Sequence, residues 1–144
     1  MNYKYYLLGI AAMALVSCTT YTIPVESFNS QMVDAAEENM RSAEINNPLT
    51  YGSLTYPANN IDRLIVINED GKRTYLTNSP SIEMRVTHVN GKRYKFYFDT
   101  VYLENDTLKA ERSRFIAGLS RQIPLDSIVK IEVQDGGKKF NYQN

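Results

Sequence analysis

The sequence predicts a mainly β protein: a small antiparallel barrel of short strands, preceded by a signal helix and one amphipathic helix. Three observations carry that prediction. Turn signals recur at short, regular spacing from residue 61 onward, at Asp70-Gly71, Asn90-Gly91, Asn105-Asp106 and Asp135-Gly136-Gly137. β-Branched and aromatic residues crowd the segments between them, which suits a pleated surface. Several of those segments alternate apolar and polar residues, the period of a strand with one buried face.

Residues 61–144 hold the barrel strands. "IDRLIVINEDGKRTYLT" reads as strand, Asp-Gly turn, strand. "IEMRVTHVNGKRYKFYF" repeats the logic around Asn90-Gly91, where both turn positions tolerate positive φ. Ile82, Met84 and Val86 share one face. Tyr94, Phe96 and Phe98 share a face on the return strand, and Arg85, Lys95 and Tyr97 point the other way. Val101 and Leu103 alternate into the Asn105-Asp106 turn, and Leu108 starts the next strand. Gly118 marks a bend or bulge. Residues 123–128 read as one tight helical turn between two strands. Val129, Ile131 and Val133 then alternate inward, and a last strand carries Phe140 and Tyr142. Closing such a sheet removes the exposed edges that invite aggregation.

Upstream, residues 28–45 read as the amphipathic helix. Phe28, Met32, Ala36, Met40 and Ala43 recur at three- and four-residue steps. Ser27 or Ser30 caps its start, and Asn46-Asn47-Pro48 stops it. Its polar face is acidic, which favours packing on the domain over membrane insertion. Residues 18–27 read as an extended tether, with Pro24 opposing helix, and residues 46–60 as a linker or arm with a short strand around Leu54.

Residues 1–17 have the anatomy of a signal peptide. Lys4 marks a short charged start, an apolar run extends from Tyr5 to Val16, and small residues precede Cys18. The run is too short for a bilayer span of roughly 20 residues. Cys18 is the only cysteine, which excludes an internal disulfide and a cysteine zinc cluster. Leu15-Val16-Ser17-Cys18 resembles the lipobox of bacterial lipoproteins. The n-region departs from that family in carrying one basic residue where two or three are usual. The resemblance implies that Cys18 becomes the mature N-terminus, with diacylglyceryl on its sulfur and an acyl chain such as palmitate on its amine. Thr19 stands where an Asp implies inner-membrane retention, so the resemblance implies the outer membrane. "TTYTIPVESF" lacks the early acidic cluster of surface export, which implies the periplasmic leaflet.

The strand–"PLDS"–strand segment resembles the one-turn helix before the last strand of SH3-like and Sm-like barrels. The order of signal peptide, lipobox and barrel is similar to that of small SH3-like lipoproteins of Gram-negative envelopes. "FYFDTVYLENDTL" and "IPLDSIVKIEVQDGGKKF" resemble uncharacterised lipoproteins of gut bacteria, a resemblance that implies no activity.

Sixteen basic residues balance sixteen acidic ones, so no overall field draws the chain to nucleic acid. His88, the only histidine, reads as a strand-end residue. Asp99, Glu104 and Asp106 are candidates for paired-carboxylate hydrolysis or for calcium, but they lack calcium-loop spacing, and Asp106 suits a turn. No cofactor or metal is expected. Tyr75, Tyr94, Tyr97 and Tyr102, with Arg85 and Lys95, form a candidate ligand-contact face, because tyrosine offers a flat apolar body with a polar tip. The sequence therefore predicts a membrane-anchored envelope lipoprotein, held by lipid on Cys18, acting as a non-catalytic structural or interaction module. The alternative is a glycan- or peptide-binding lipoprotein using that Tyr/Arg/Lys face. A hydrolase using Asp99 and Glu104 ranks third.

Overall fold

The computed structural model describes residues 18–111, 113–116 and 118–143. In chain order these form β1 (Thr20–Ile23), α1 (Val25–Gln31), β2 (Arg41–Asn46), β3 (Ser53–Ala58), β4 (Arg63–Ile67) and β5 (Arg73–Thr77). There follow β6 (Ile82–His88), β7 (Arg93–Tyr97), β8 (Tyr102–Glu104), β9 (Thr107–Glu111), β10 (Ser120–Pro124) and β11 (Ile128–Asp135). Single 3-10 turns lie at Glu37–Asn39, Phe98–Thr100 and Leu125–Ser127. The last of these is the tight turn expected before β11.

The predicted hairpins form, with a different turn chemistry. In β4–β5, Gly71 N–H donates to the Asn68 carbonyl at 3.0 Å and Asn68 N–H to the Lys72 carbonyl at 2.9 Å. In β6–β7, Gly91 N–H donates to His88 at 2.8 Å and His88 N–H to Lys92 at 2.9 Å. Gly71 and Gly91 alone take positive φ there, at 75° and 83°. Each loop is thus a turn followed by a glycine bulge, which absorbs one extra residue. The two-residue turn with both centres at positive φ goes to Asn105 (49°) and Asp106 (55°), between β8 and β9. Their short polar side chains tolerate that region better than most L-residues do.

The chain is mainly β, with antiparallel sheets. The largest has six strands in the order β5-β4-β1-β11-β6-β7. A second has the order β10-β9-β8, and β2-β3 forms a separate ribbon. The expected closed barrel does not appear in the pairing. β5 and β7 end the large sheet, and no ladder among the described residues joins it to the others. The buried 3-10 turn Phe98–Thr100 takes the chain out of register with β7. β8–β10 then pack through their side chains, Leu108, Ala110 and Ile123 sharing one core with Ile82, Met84, Val86, Phe96 and Ile131. Each of these side chains larger than alanine contributes on the order of 1.5–3 kcal/mol when fully buried.

Several expectations are corrected. The helix expected over residues 28–45 ends at Gln31, and Arg41–Asn46 is a strand instead. Ala43 and Ile45 are buried at strand period and pack with Tyr56 and Ala58 of β3. The tether expected over residues 18–27 contains β1, which lies inside the large sheet: Ile23 faces Ile131 of β11 and Thr22 faces Ile67 of β4. The boundary expected at residue 61 is therefore not a structural division. Residues 46–60 do hold a strand through Leu54, namely β3. Val129 is 57% exposed because β11 shifts register between Ile128 and Lys130, so Ile128 turns inward in its place. Phe140 and Tyr142 belong to no strand; one isolated bridge joins Tyr142 to Ile45. The signal peptide expected over residues 1–17 lies outside the described residues.

Candidate binding groove

β7 is an edge strand. His88 and Lys92 share a hydrogen bond at the hairpin end, so antiparallel alternation gives the next bonded positions to Val86–Tyr94 and Met84–Phe96. The backbone N–H and C=O groups of Arg93, Lys95 and Tyr97 therefore face away from β6. A cavity of about 400 Å³ runs along this edge. All five residues of β7 line it, with Glu83 of β6, Arg121 of β10 and Lys138 beyond β11.

The groove thus carries four basic side chains and one carboxylate, two of the four in contact with it. Glu83 has only 6% of its side chain exposed and receives Lys95 Nζ at 2.7 Å and Lys138 Nζ at 3.1 Å. Gln134 Nε2 also donates to it, at 3.2 Å. Burial pushes the Glu83 carboxyl up, but the hydrogen bonds from Lys95, Lys138 and Gln134 outweigh it and hold the group below its ordinary value. Gly136 makes room for this arrangement, since a Cβ there would lie 2.9 Å from Glu83 Cδ. Lys138 donates to the Tyr97 hydroxyl at 2.9 Å, and that bond, against burial and together with Glu83, raises its pKa. The Arg121 guanidinium sits 4.5 Å from the Tyr94 ring centroid. Among the described residues no carboxylate forms an ion pair with Arg93 or Arg121.

Behind Tyr97 lies a buried polar cluster. Asp99 is fully buried, and its Oδ1 accepts from Arg114 Nη2 at 2.6 Å. Its Oδ2 accepts from the Tyr142 hydroxyl at 3.0 Å and from the Tyr56 hydroxyl. Arg114 also donates to the Pro80 carbonyl at 2.5 Å, and its guanidinium lies 3.9 Å from the Tyr97 centroid and 5.6 Å from that of Phe140. Burial and the Asp99 charge push the Tyr56 and Tyr142 hydroxyls well above the ordinary tyrosine range. The sequence names Asp99 but gives no local sign of Tyr56, Arg114, Phe140 or Tyr142 as its neighbours. Their separations along the chain are long, 43 residues for each of the two tyrosines.

Of the predicted contact face, the structure brings Tyr94, Lys95 and Tyr97 together in the groove. Arg85 sits beside it, opposite Lys95 on one side and Glu132 on the other. Tyr75 lies on β5, at the far edge of the sheet, under Arg63 at 4.6 Å. Tyr102 lies on β8 in the other sheet, half-buried, with its hydroxyl pushed up mainly by burial. Asp99 and Glu104 do not converge: Asp99 is closed in, and Glu104 pairs with Lys109 on the neighbouring strand. Asp106 occupies the β8–β9 turn. His88 Nδ1 accepts from the Asn90 N–H at 3.1 Å, at the strand end as expected. Cys18 is exposed, two residues before β1. Among the described residues no group of three or more His, Cys, Asp or Glu is placed to hold a metal, and no helix is long and apolar enough to cross a membrane. No family model, curated protein or solved structure matches the chain.

Proposed function

We propose that this protein is a lipid-anchored envelope lipoprotein working as a non-catalytic interaction module, with the β7 groove presented to an anionic partner. The observation that carries the reading is the charge of the groove: Arg93, Lys95, Arg121 and Lys138 against Glu83 alone, along one open strand edge. Such a field draws anions and raises their local concentration. The groove also contains three of the six residues of the face expected from sequence.

The anchor part rests on Leu15-Val16-Ser17-Cys18 and on the exposure of Cys18 ahead of β1. Two or more acyl chains on Cys18 hold a protein stably where one does so only marginally. Thr19 favours the outer membrane, and the domain faces the periplasm. The SH3/Sm-like reading of the fold, as a small barrel opened at β7, rests on the one-turn helix Leu125–Ser127 feeding β11. A non-catalytic role accords with the state of the carboxylates, since Asp99 is consumed by Arg114 and two tyrosines and Glu104 by Lys109.

Two measurements test the reading. Cys18→Ala or globomycin treatment is expected to block processing and release the protein from membranes; unchanged processing and fractionation overturn the anchor. The full chain is expected to be retained on immobilised polyphosphate at low salt. Equal retention of the Lys95→Glu, Arg121→Glu double variant overturns the groove as the anion site.

A further inference from the structure

We propose that the groove is a slot for an extended acidic peptide segment, which adds to β7 as a seventh strand of the large sheet. The inference rests on the reading of the groove as an anionic partner's site and specifies that partner. Its starting point is the open edge. Arg93, Lys95 and Tyr97 direct their backbone groups away from β6, as alternation from the His88–Lys92 bond requires. Across the cavity stands β10, one of the two edge strands of the three-stranded sheet, whose Arg121 reaches the Tyr94 ring. The slot follows all five residues of β7, a length of roughly 17 Å at strand rise. Backbone addition to an exposed edge gives affinity, and side chains at every second position give specificity.

The charges select the strand. Arg93 and Lys95 stand two residues apart on one face of β7, so carboxylates at every second position of an added strand lie opposite them. Cations on an edge also repel basic strands and make pairing with neutral ones costly through loss of their hydration, a common guard against indiscriminate pairing. Here the guard admits one class and rejects the others.

The aromatic rings argue against a glycan. A sugar ring stacks on a free aromatic face, and both groove tyrosines have their faces engaged. Arg121 lies over Tyr94, while Arg114 and Lys138 lie 3.9 and 4.9 Å from the Tyr97 centroid. The groups without an anionic partner among the described residues are the outward backbone amides of β7 and the guanidinium groups of Arg93 and Arg121, which fit carboxylates on an extended chain.

The test uses the full chain in detergent micelles and amide hydrogen exchange followed by nuclear magnetic resonance. The probes are a blocked peptide of about eight residues alternating Glu and Val, its Lys–Val counterpart, and an oligogalacturonate of similar charge. The Glu–Val peptide is expected to bind saturably and to slow exchange at the amides of Arg93, Lys95 and Tyr97, while those of Tyr94 and Phe96 are already slow. Raised salt should weaken it. In the Arg93→Glu, Lys95→Glu double variant its affinity should fall by at least ~10-fold, with the Lys–Val peptide now accepted. Binding of the oligogalacturonate without amide protection overturns the peptide strand but leaves the anionic-partner function standing. Failure of both anions to bind overturns both. Equal binding of both peptides to the unaltered chain, or peptide contacts confined to another face, overturns the strand proposal alone.

Discussion

Asp99 and Glu83 are both carboxylates held by cations, and their surroundings give the two pairs different worth. Lys95 and Lys138 keep much of their side chains in water, so their bonds to Glu83 are screened and their contribution is small. Asp99 and Arg114 have no side-chain exposure at all. Removing two charges from water costs several kcal/mol per ion, and only the full set of hydrogen bonds offsets it. Asp99 has that set; Arg114 does not, since its Nε and Nη1 lack partners among the described residues. The pair is therefore balanced on Asp99. Asp99→Asn should destabilise the protein by about 3–5 kcal/mol, because it leaves a buried guanidinium uncompensated. The Asp99→Asn, Arg114→Met double variant should be more stable than that single one. Urea unfolding at neutral pH measures both, and a single-variant loss no greater than that of Glu104→Gln would contradict the buried pair. The sequence marks Asp99 as chemically interesting without showing why. A carboxylate after the apolar "FYF" reads equally as a general acid or as a structural anion until its partners are known.

At the level of elements, turn position was the most legible feature. Asp70-Gly71, Asn90-Gly91 and Asn105-Asp106 each close a hairpin, because a residue that tolerates positive φ is a local requirement visible in local sequence. What local sequence does not reveal is the loop length, which depends on how the flanking strands pair. The bulge confines the requirement in the β6–β7 loop to Gly91. A Cβ on Gly91 would meet nothing within 4 Å, so Gly91→Ala carries only the backbone cost, about 1–2 kcal/mol. Urea unfolding should show that loss with polyanion retention preserved, whereas Gly136→Ala should impair both by displacing Glu83. Equal behaviour of the two variants would mean that Glu83 does not organise the groove. The helix expected over residues 28–45 fails for a related reason. Phe28, Met32, Ala36 and Met40 are spaced by four, and a step of four fits a strand's period of two as well as a helical turn. Only the first pair uses it helically, with Phe28 inside α1 and Met32 at its C-terminal end both buried. Beyond Met40 the period-two positions Ala43 and Ile45 find Tyr56 and Ala58, and strand pairing wins.

For the molecule as a whole, β1 is the element on which the large sheet depends. The order β5-β4-β1-β11 means that the β4–β5 hairpin joins the rest of that sheet through β1 alone. "TYTI" starts two residues after Cys18 and precedes a proline, so it reads as a tether, and nothing nearby indicates a partner. That partner is β11, with Thr20 and Gln134 lying 114 residues apart in the chain. Contacts of this range are set by the whole fold, and for that reason neither the separate sheets nor the place of β1 inside the largest was legible in local patterns. Two consequences follow. Only Cys18 and Thr19 separate the proposed lipid from the sheet, a reach of about 7 Å, so the domain would lie close against the bilayer. Cutting at Pro24 would remove a central strand. A chain beginning at Pro24 should lose cooperative unfolding, because Ile23 leaves the core and the β4–β5 hairpin loses the one ladder that joins it to the sheet among the described residues. Inserting two residues between Cys18 and Thr19 should instead leave the unfolding midpoint unchanged while moving the domain outward. Circular dichroism during urea unfolding separates these outcomes, and a sharp transition at the full chain's midpoint for the truncated form would show that β1 is the tether its sequence suggests.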